Sequence, residues 1–144
     1  MSSNTIVQRL GSCLCRKVRF TVSGEPFQYA VCHCSNCKKF AGSAFMTNAF
    51  FSHDKIAVTE GQDVIRKYQD SNTASGSTLT RSFCSQCGTS LFLSSPTKTD
   101  WISVCPSSLD DPQQWVPRRE SYPDAKYPWV TALHIEPKHK SKKL

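Results

Sequence analysis

The sequence contains no long apolar run and no secretion signal. No stretch approaches the roughly 18 apolar residues of a membrane span, and the first residues, MSSNTIVQRLGSC, lack an apolar segment. Internal repeats are absent as well, and no linker divides the 144 residues. We therefore expect one domain over residues 1–137, located in the cytoplasm and without membrane contact. Residues 138–144 are basic and are expected to form a disordered tail.

Hydrophobic residues are also scarce, at 38% of the chain, which is little for a protein that must bury a core. Structural metal could supply the missing stability. Helical periodicity is almost absent, and short β-branched and aromatic segments alternate with turn residues. This pattern predicts an antiparallel all-β domain. The expected strands are 18–22, 43–51, 55–58, 64–68, 77–83, 90–93 and 101–105, with short helical turns at 35–40 and 107–115.

Cysteine is the residue that this chain has in quantity. Seven of its eight cysteines fall into three short clusters. In a reducing cytosol, such clusters are more often metal ligands than disulfides. A disulfide framework is further disfavoured by the tight CxC spacing and the odd number of clustered cysteines. The clusters are the N-terminal pair Cys13-x-Cys15, the central triplet Cys32-x-Cys34-x-x-Cys37 and the knuckle Cys84-x-x-Cys87.

The knuckle predicts one closed zinc site, but it needs two ligands from another part of the chain. Gly88 follows it and would let backbone N–H groups face sulfur without a Cβ clash. The N-terminal pair can supply the missing ligands, because residues i and i+2 of an extended strand face the same side. The resulting four-cysteine site would be structural and would join segments about 70 residues apart. An arrangement with Cys32 or Cys34 in the knuckle stays open.

The central triplet would then bind a second zinc ion, with its first two thiolates on one face of a strand and the third in the next turn. Three thiolates leave that ion with a charge of −1 and an open position for substrate or water. Lys38 and Lys39 could offset this charge, or they could simply be solvated. Cys105 is either a buried, inert thiol or a fourth ligand that would close this three-cysteine site.

The formal net charge of +7 does not indicate a nucleic-acid-binding protein. Four of these charges are lysines of the tail, which leaves residues 1–137 at +3. Seven bound thiolates and two Zn²⁺ would add a net −3, so the metal-loaded core would be nearly neutral. No Arg/Lys stripe with interleaved aromatic residues is present. We therefore expect no nucleic-acid partner.

Three segments of the chain resemble the signature segments of the glutathione-dependent formaldehyde-activating enzymes, a family that also includes centromere-protein-V-like proteins. They are Gly11–Phe20, Cys32–Phe45 and Phe83–Phe92, and the resemblance extends over roughly residues 11–129. It implies an Mss4-like (β-tent) fold with a structural zinc ion on the four-cysteine site and a catalytic one on the three-cysteine site. It also implies a carbon–sulfur lyase that joins a small thiol and an aldehyde, converting glutathione and formaldehyde into S-hydroxymethylglutathione.

The sequence departs from this family at two positions. Arg16 replaces the glycine that usually follows the second cysteine, and Glu120 stands where a histidine is common. Glu120 and His33 are the candidate acid/base residues that would exchange a proton with the adduct oxygen. Each also has a structural interpretation. Glu120 could pair with Arg118 or Arg119 at the surface, and His33 could simply be packed away from the ligand face.

Two other functions fit the same residues. One is a zinc enzyme of this scaffold with a different substrate, and the other is a non-catalytic zinc-binding adaptor. A protein group that completed the second zinc tetrahedron would favour the adaptor. The aromatic side chains of Phe45, Tyr122 and Trp129 could line a substrate pocket, although packing in the core is equally typical of them.

Overall fold

The computed structural model describes residues 5–136, which form ten strands and one short helix. The basic tail lies outside the described residues. Four single turns of 3-10 helix lie at His53–Lys55, Gln62–Val64, Pro106–Ser108 and Pro123–Ala125. The strands and the helix are β1 Gln8–Ser12, β2 Arg19–Ser23, β3 Gln28–Cys32, α1 Ser35–Ala41, β4 Met46–Ser52, β5 Ile56–Glu60, β6 Ile65–Asp70, β7 Leu79–Cys84, β8 Ser90–Ser94, β9 Trp101–Val104 and β10 Arg119–Ser121.

The strands form two sheets. The smaller sheet has the order β1-β2-β5, and the larger has the order β10-β3-β4-β9-β8-β7-β6. Every pair is antiparallel except β10 with β3, which is parallel. The predicted antiparallel, mostly β class is therefore confirmed. No helix within residues 5–136 has the length and apolar character needed to cross a bilayer.

The main core lies between the two sheets. On β2, Phe20 and Val22 are fully buried, and the rings of Phe20 and Phe92 meet edge to face at 5.0 Å. Gly11 on β1 has no room for a side chain, because a Cβ there would overlap the Phe20 ring. Residues of this core include the cysteines Cys13 and Cys84, so the four-cysteine site adjoins the contact between the sheets.

All seven predicted strand segments are found, with ends that differ from the predicted ones by at most three residues. The strands β1, β3 and β10 were not predicted as separate elements. The helical turn expected at 35–40 is α1, whereas the one expected at 107–115 is wrong beyond Ser108. Tertiary contacts hold that segment in an extended conformation. Leu109 forms an isolated β-bridge with Gly11, and the Asp110 amide donates to the Leu10 carbonyl at 2.9 Å.

Candidate metal centres

The fold brings the N-terminal pair and the knuckle together. All four Sγ atoms lie within 4.8 Å of one another. The Cys13 and Cys15 sulfurs are 3.5 Å apart, and the Cys15 and Cys84 sulfurs are 3.8 Å apart. In a tetrahedral zinc site with Zn–S bonds of about 2.3 Å, sulfurs lie roughly 3.8 Å apart. This group has the dimensions to hold a metal ion, and neither Cys32 nor Cys34 belongs to it.

The N-terminal pair does not lie on a strand, contrary to the prediction. Strand β1 ends at Ser12, and Cys13 and Cys15 occupy the turn that leads to β2. The Arg16 amide donates to the Cys13 carbonyl at 2.9 Å, and the Val18 amide donates to the Cys13 sulfur at 3.3 Å. Arg16 itself has a φ of +64°, a left-handed conformation that glycine adopts without strain. This conformation explains why glycine is common at that position in the family.

The knuckle begins at the end of β7 and continues into the turn before β8. Gly88 has a φ of +76°, and its amide donates to the Cys84 carbonyl at 2.8 Å. A Cβ at Gly88 would meet no atom beyond its chain neighbours within 4 Å, so no tertiary contact requires the glycine. The glycine is explained instead by its positive φ, which closes the turn that presents both sulfurs.

The thiols of this group cannot all ionise without a compensating cation. Burial raises the pKa of Cys87, but hydrogen bonds from Thr89 and the neighbouring groups outweigh burial and lower it to about 5. The Lys17 amide lowers the pKa of Cys15, but desolvation and the three nearby sulfurs outweigh that amide and raise it to about 11. The pKa values of Cys87 and Cys15 shift in opposite directions because neighbouring thiols at short distance share protons through hydrogen bonds. A soft divalent cation such as Zn²⁺ fits an all-sulfur group of this kind.

The central triplet forms a second group of three sulfurs within 4.8 Å of one another, all buried. It was predicted to place two thiolates on one strand face. Only Cys32 lies on β3, however, while Cys34 is the N-cap of α1 and accepts a hydrogen bond from the Cys37 amide at 3.4 Å. The neighbouring Cys37 thiol lowers the pKa of Cys32, and the Cys32 sulfur together with burial raises the pKa of Cys37.

No other His, Cys, Asp or Glu of residues 5–136 joins the three-cysteine group within that distance. Cys105 packs against the triplet and Met46 but is not part of the sulfur group. Burial raises the pKa of the Cys105 thiol to about 12, with a smaller contribution from Cys37. Cys105 therefore has the environment of an inert core thiol rather than that of a ligand.

A buried arginine, which the sequence analysis missed, lies against the triplet. The Arg81 Nη1 atom is 3.7 Å from the Cys37 sulfur, and its Nε donates to Asp70 at 2.8 Å. Lys38, for which charge compensation at the site and solvation were both open, donates to the Ala125 carbonyl and lies 4.0 Å from the Tyr127 ring centre. Burial raises the pKa of Asp70, but the hydrogen bonds from Arg81 and from a neighbouring asparagine outweigh it and lower the pKa below its ordinary value.

The two candidate acid/base residues are in direct contact. Strand β10 pairs in parallel with β3 and places Glu120 opposite Val31. His33 is fully buried, and its Nε2 lies 2.7 Å from Glu120 Oε1. Glu120 also pairs with Lys126 at 3.2 Å, so neither of the arginines proposed as its surface partners is needed. Burial raises the pKa of Glu120, but the hydrogen bonds from His33 and Lys126 outweigh it and lower that pKa.

Two cavities are lined by residues that contact the triplet, such as Phe40 and Arg81, but by none of its three cysteines. The larger, of about 580 Å³, is lined by the end of α1, the start of β4, the knuckle turn and Cys105. Phe45 lines this cavity and packs edge-on against His33 at 5.8 Å. The smaller, of about 370 Å³, is lined by α1, Tyr68 and Arg81 among others. Both volumes fall in the range of about 300–1,000 Å³ that is typical of small-molecule sites. Trp129, in contrast, is 71% exposed and stacks on Tyr127.

Fold and site together define a β domain with two cysteine groups that could each hold a metal ion. The sequence model of the glutathione-dependent formaldehyde-activating enzyme family matches residues 8–125, and the chain belongs to this family. The resemblance seen in the three sequence segments is therefore confirmed.

Individual relatives agree with this membership. A *Schizosaccharomyces pombe* protein named as an uncharacterized lyase is 37% identical over 82 residues, which are 57% of this chain and 54% of that protein. The match thus spans about half the length of this relative. A *Halomonas elongata* protein, whose name provisionally assigns it to the glutathione-dependent formaldehyde-activating enzymes, is 30% identical over 126 residues, 83% of this chain and 78% of its own.

The fold is also found in a solved structure. A crystal structure of a *Rhodobacter sphaeroides* protein superimposes with a TM-score of 0.58 at 19% identity, covering 75% of this chain and 92% of that one. At this identity the likeness concerns the fold alone. The family and the names of its relatives support an enzyme. The reaction that the chain catalyses has to be argued from its site, because fold alone does not determine function.

Proposed function

We propose that this chain is a zinc-dependent carbon–sulfur lyase that makes and breaks a thiol–aldehyde adduct such as S-hydroxymethylglutathione. In this proposal, Cys32, Cys34 and Cys37 hold a catalytic zinc ion, and the four-cysteine site holds a structural one. The observation that carries the proposal is the three-sulfur group, which no fourth ligand from residues 5–136 completes and which cavities adjoin.

The proposed reaction conserves atoms and charge in both directions. In the forward direction, the sulfur of a thiol attacks the carbonyl carbon of the aldehyde, a C–S bond forms, and the thiol proton leaves. The carbonyl oxygen becomes an alkoxide and takes up a proton. In reverse, the hydroxyl loses its proton and the C–S bond breaks. A zinc ion on the three thiolates would supply a Lewis acid that favours the thiolate form of the substrate at neutral pH.

His33 and Glu120 are suited to the proton transfer to and from the adduct oxygen. The Glu120 carboxylate holds the Nε2–H of His33 at 2.7 Å, which fixes the orientation of the ring. The Nδ1 atom meets no hydrogen-bonding group among the described residues and is buried, so proton exchange with substrate at this atom requires the groups that cover it to move. Lys126 helps to keep Glu120 ionised, so that the carboxylate can accept the hydrogen bond from the His33 ring.

The surroundings of the triplet would exclude water from the reacting atoms. Cys32, Cys34 and Cys37 are each at most 8% exposed, and Phe40, Ala41 and Met46 pack around them. Removing water strengthens electrostatic interactions and protects the adduct oxygen from competing proton exchange. The 580 Å³ cavity supports a thiol substrate of tripeptide size beside this cluster.

The direct test is exchange NMR between free glutathione and its formaldehyde adduct, since the uncatalysed reaction already forms product. Wild-type protein should raise the exchange rate above buffer, and the Cys34→Ser variant should not. Glu120→Gln should lower the rate by about 10²- to 10⁴-fold without changing the zinc content, the size that acid–base catalysis typically contributes. Glu60→Gln serves as the matched control, because Glu60 is an exposed carboxylate of β5 that pairs with Arg19 at 3.6 Å and lines neither cavity.

Equal rates for wild type, Cys34→Ser and buffer would exclude the formaldehyde–glutathione reaction. The cobalt-substituted protein then separates the two remaining alternatives. A change in its ligand-field spectrum on adding thiols would leave an enzyme with another substrate, because a fourth sulfur alters the coordination. No response to any thiol at full metal loading would leave a non-catalytic zinc module.

A further inference from the structure

A buried ion pair lies beside the three-cysteine site and has no part in the proposed proton transfer. Arg81 on β7 and Asp70 at the end of β6 are 3% and 5% exposed. The Arg81 Nε donates to Asp70 Oδ2 at 2.8 Å, and its Nη1 points to the Cys37 sulfur at 3.7 Å. One guanidinium therefore joins a carboxylate to a sulfur of the triplet.

Groups on the helix and the neighbouring strand fix the orientation of this guanidinium. Asn36 on α1 donates from Nδ2 to both oxygens of Asp70 at 3.0 Å each, and to the Asn72 carbonyl at 2.7 Å. The Arg81 guanidinium also lies 5.3 Å from the centre of the Phe40 ring, which belongs to the same helix. The guanidinium of Arg81 is thus contacted by Asp70 at the end of β6 and by Cys37 and Phe40 of helix α1.

Fold stability alone does not account for such a pair. Burying two charges carries a desolvation cost that their attraction often fails to offset, and apolar replacements are frequently neutral or stabilising. The position of the pair suggests a different role. Three thiolates around one divalent ion carry a net −1 in a buried place, and Arg81 brings positive charge to one of those sulfurs.

We propose that Arg81 is a positioning residue that stabilises the thiolate of Cys37 and thereby tightens metal binding at the three-cysteine site, while Asp70 and Asn36 hold its guanidinium in place. This inference rests on the proposed function in one respect, namely that the triplet binds a metal ion. It assigns Arg81 no contact with substrate.

The proposal predicts a graded series of zinc affinities in the full-length, metal-loaded protein. Arg81→Met should weaken zinc binding at the three-cysteine site by about 10- to 100-fold, the usual effect of losing a partner of a metal ligand. Arg81→Lys keeps the positive charge but lacks the planar guanidinium whose N–H groups reach Asp70 and Cys37 together. It should therefore weaken zinc binding less than Arg81→Met does. Asp70→Asn removes the carboxylate that holds the guanidinium in place, so it should also weaken zinc binding by an intermediate factor.

The control is Arg66→Met. Arg66 lies on β6 beside β7, is exposed, and donates only to the backbone carbonyls of Asp63 and Ile65. Competition with a chromophoric zinc chelator measures the affinity of the weaker site, and metal analysis counts the ion that remains. Cobalt substitution adds a second signal. The hydrogen bond stabilises the sulfur lone pair, so the sulfur-to-cobalt charge-transfer band should move to longer wavelength in Arg81→Met and stay in place in Arg66→Met.

Equal affinities within about twofold and an unshifted band in folded Arg81→Met would overturn the proposal. If Arg81→Met does not fold, Arg81→Lys and Asp70→Asn decide by the same two measurements, and wild-type values in both would overturn it. Failure of the wild type to bind a second metal ion would instead refute the proposed function on which this inference rests. The two failures are therefore distinguishable.

Discussion

The two cysteine groups should respond very differently to the loss of one ligand. The four-cysteine site links residues that are far apart, since Cys15 and Cys84 are 69 positions apart. The three-cysteine site spans only Cys32 to Cys37. The loop-closure entropy that a metal link offsets grows as about (3/2)RT ln n, so the longer link contributes about 2 kcal/mol more. The apparent binding free energy of a structural zinc ion, about 10–16 kcal/mol, is as large as the whole stability of a domain.

Cys84→Ser should therefore unfold the domain or prevent its soluble expression. Cys34→Ser should leave a folded protein with one metal ion, and the structure gives a specific reason. Cys34 is the N-cap of α1 and accepts the Cys37 amide at 3.4 Å. A serine hydroxyl is among the best N-caps, so the helix keeps its cap while the site loses a ligand. Cys34→Ala should cost about 1 kcal/mol more than Cys34→Ser, because the cap is lost as well.

Metal analysis with urea unfolding measures both effects on the same samples. Wild type should contain two zinc ions and Cys34→Ser one, with a cooperative transition in each. The reasoning is refuted if Cys84→Ser and Cys34→Ser unfold alike, or if the native protein binds a single ion. A Cys34→Ala variant as stable as Cys34→Ser would contradict the capping argument alone.

Three smaller changes test individual features of the fold. Arg16→Gly should raise the free energy of unfolding by about 1 kcal/mol in urea titrations, because it relieves a left-handed residue; no gain would contradict that conformation. Gly11→Ala should cost about 1–3 kcal/mol in the same assay, since a Cβ overlaps the Phe20 ring, and an unchanged midpoint would argue against this packing. Lys38→Met should leave the metal content unchanged, unlike Arg81→Met, because Lys38 contacts a carbonyl and a ring rather than sulfur.

The cysteine partition could be predicted from sequence because ligand chemistry constrains it strongly. A CxxC-Gly knuckle needs two further ligands, and the remaining cysteines offer a pair, a triplet and the single Cys105. The local conformation of those ligands was harder to predict. Both CxC motifs were expected on strands, yet Cys15 lies in a turn and Cys34 caps a helix. A two-residue spacing suits a strand and a tight turn equally, so spacing alone does not distinguish them.

The charges around the triplet could not be predicted from sequence. Lys38 follows the triplet directly, whereas Arg81 lies 44 positions from Cys37 and reaches its sulfur only because β7 packs beside α1. Asp70, which holds the Arg81 guanidinium, is the buried last residue of β6. Nearness in sequence does not identify the cation at the site, since the helix directs Lys38 toward Tyr127.

The proposed proton-transfer pair depends on very little regular structure. Strand β10 has three residues, yet its parallel pairing with β3 brings Glu120 to His33, a residue 87 positions away. The carboxylate replaces the histidine common at this position and lies against another imidazole. An ionised carboxylate can only accept the Nε2–H of His33 and so fixes the orientation of the ring, whereas a second imidazole could either donate or accept. The substitution therefore need not weaken acid–base function, because it joins a proton carrier to a fixed negative charge.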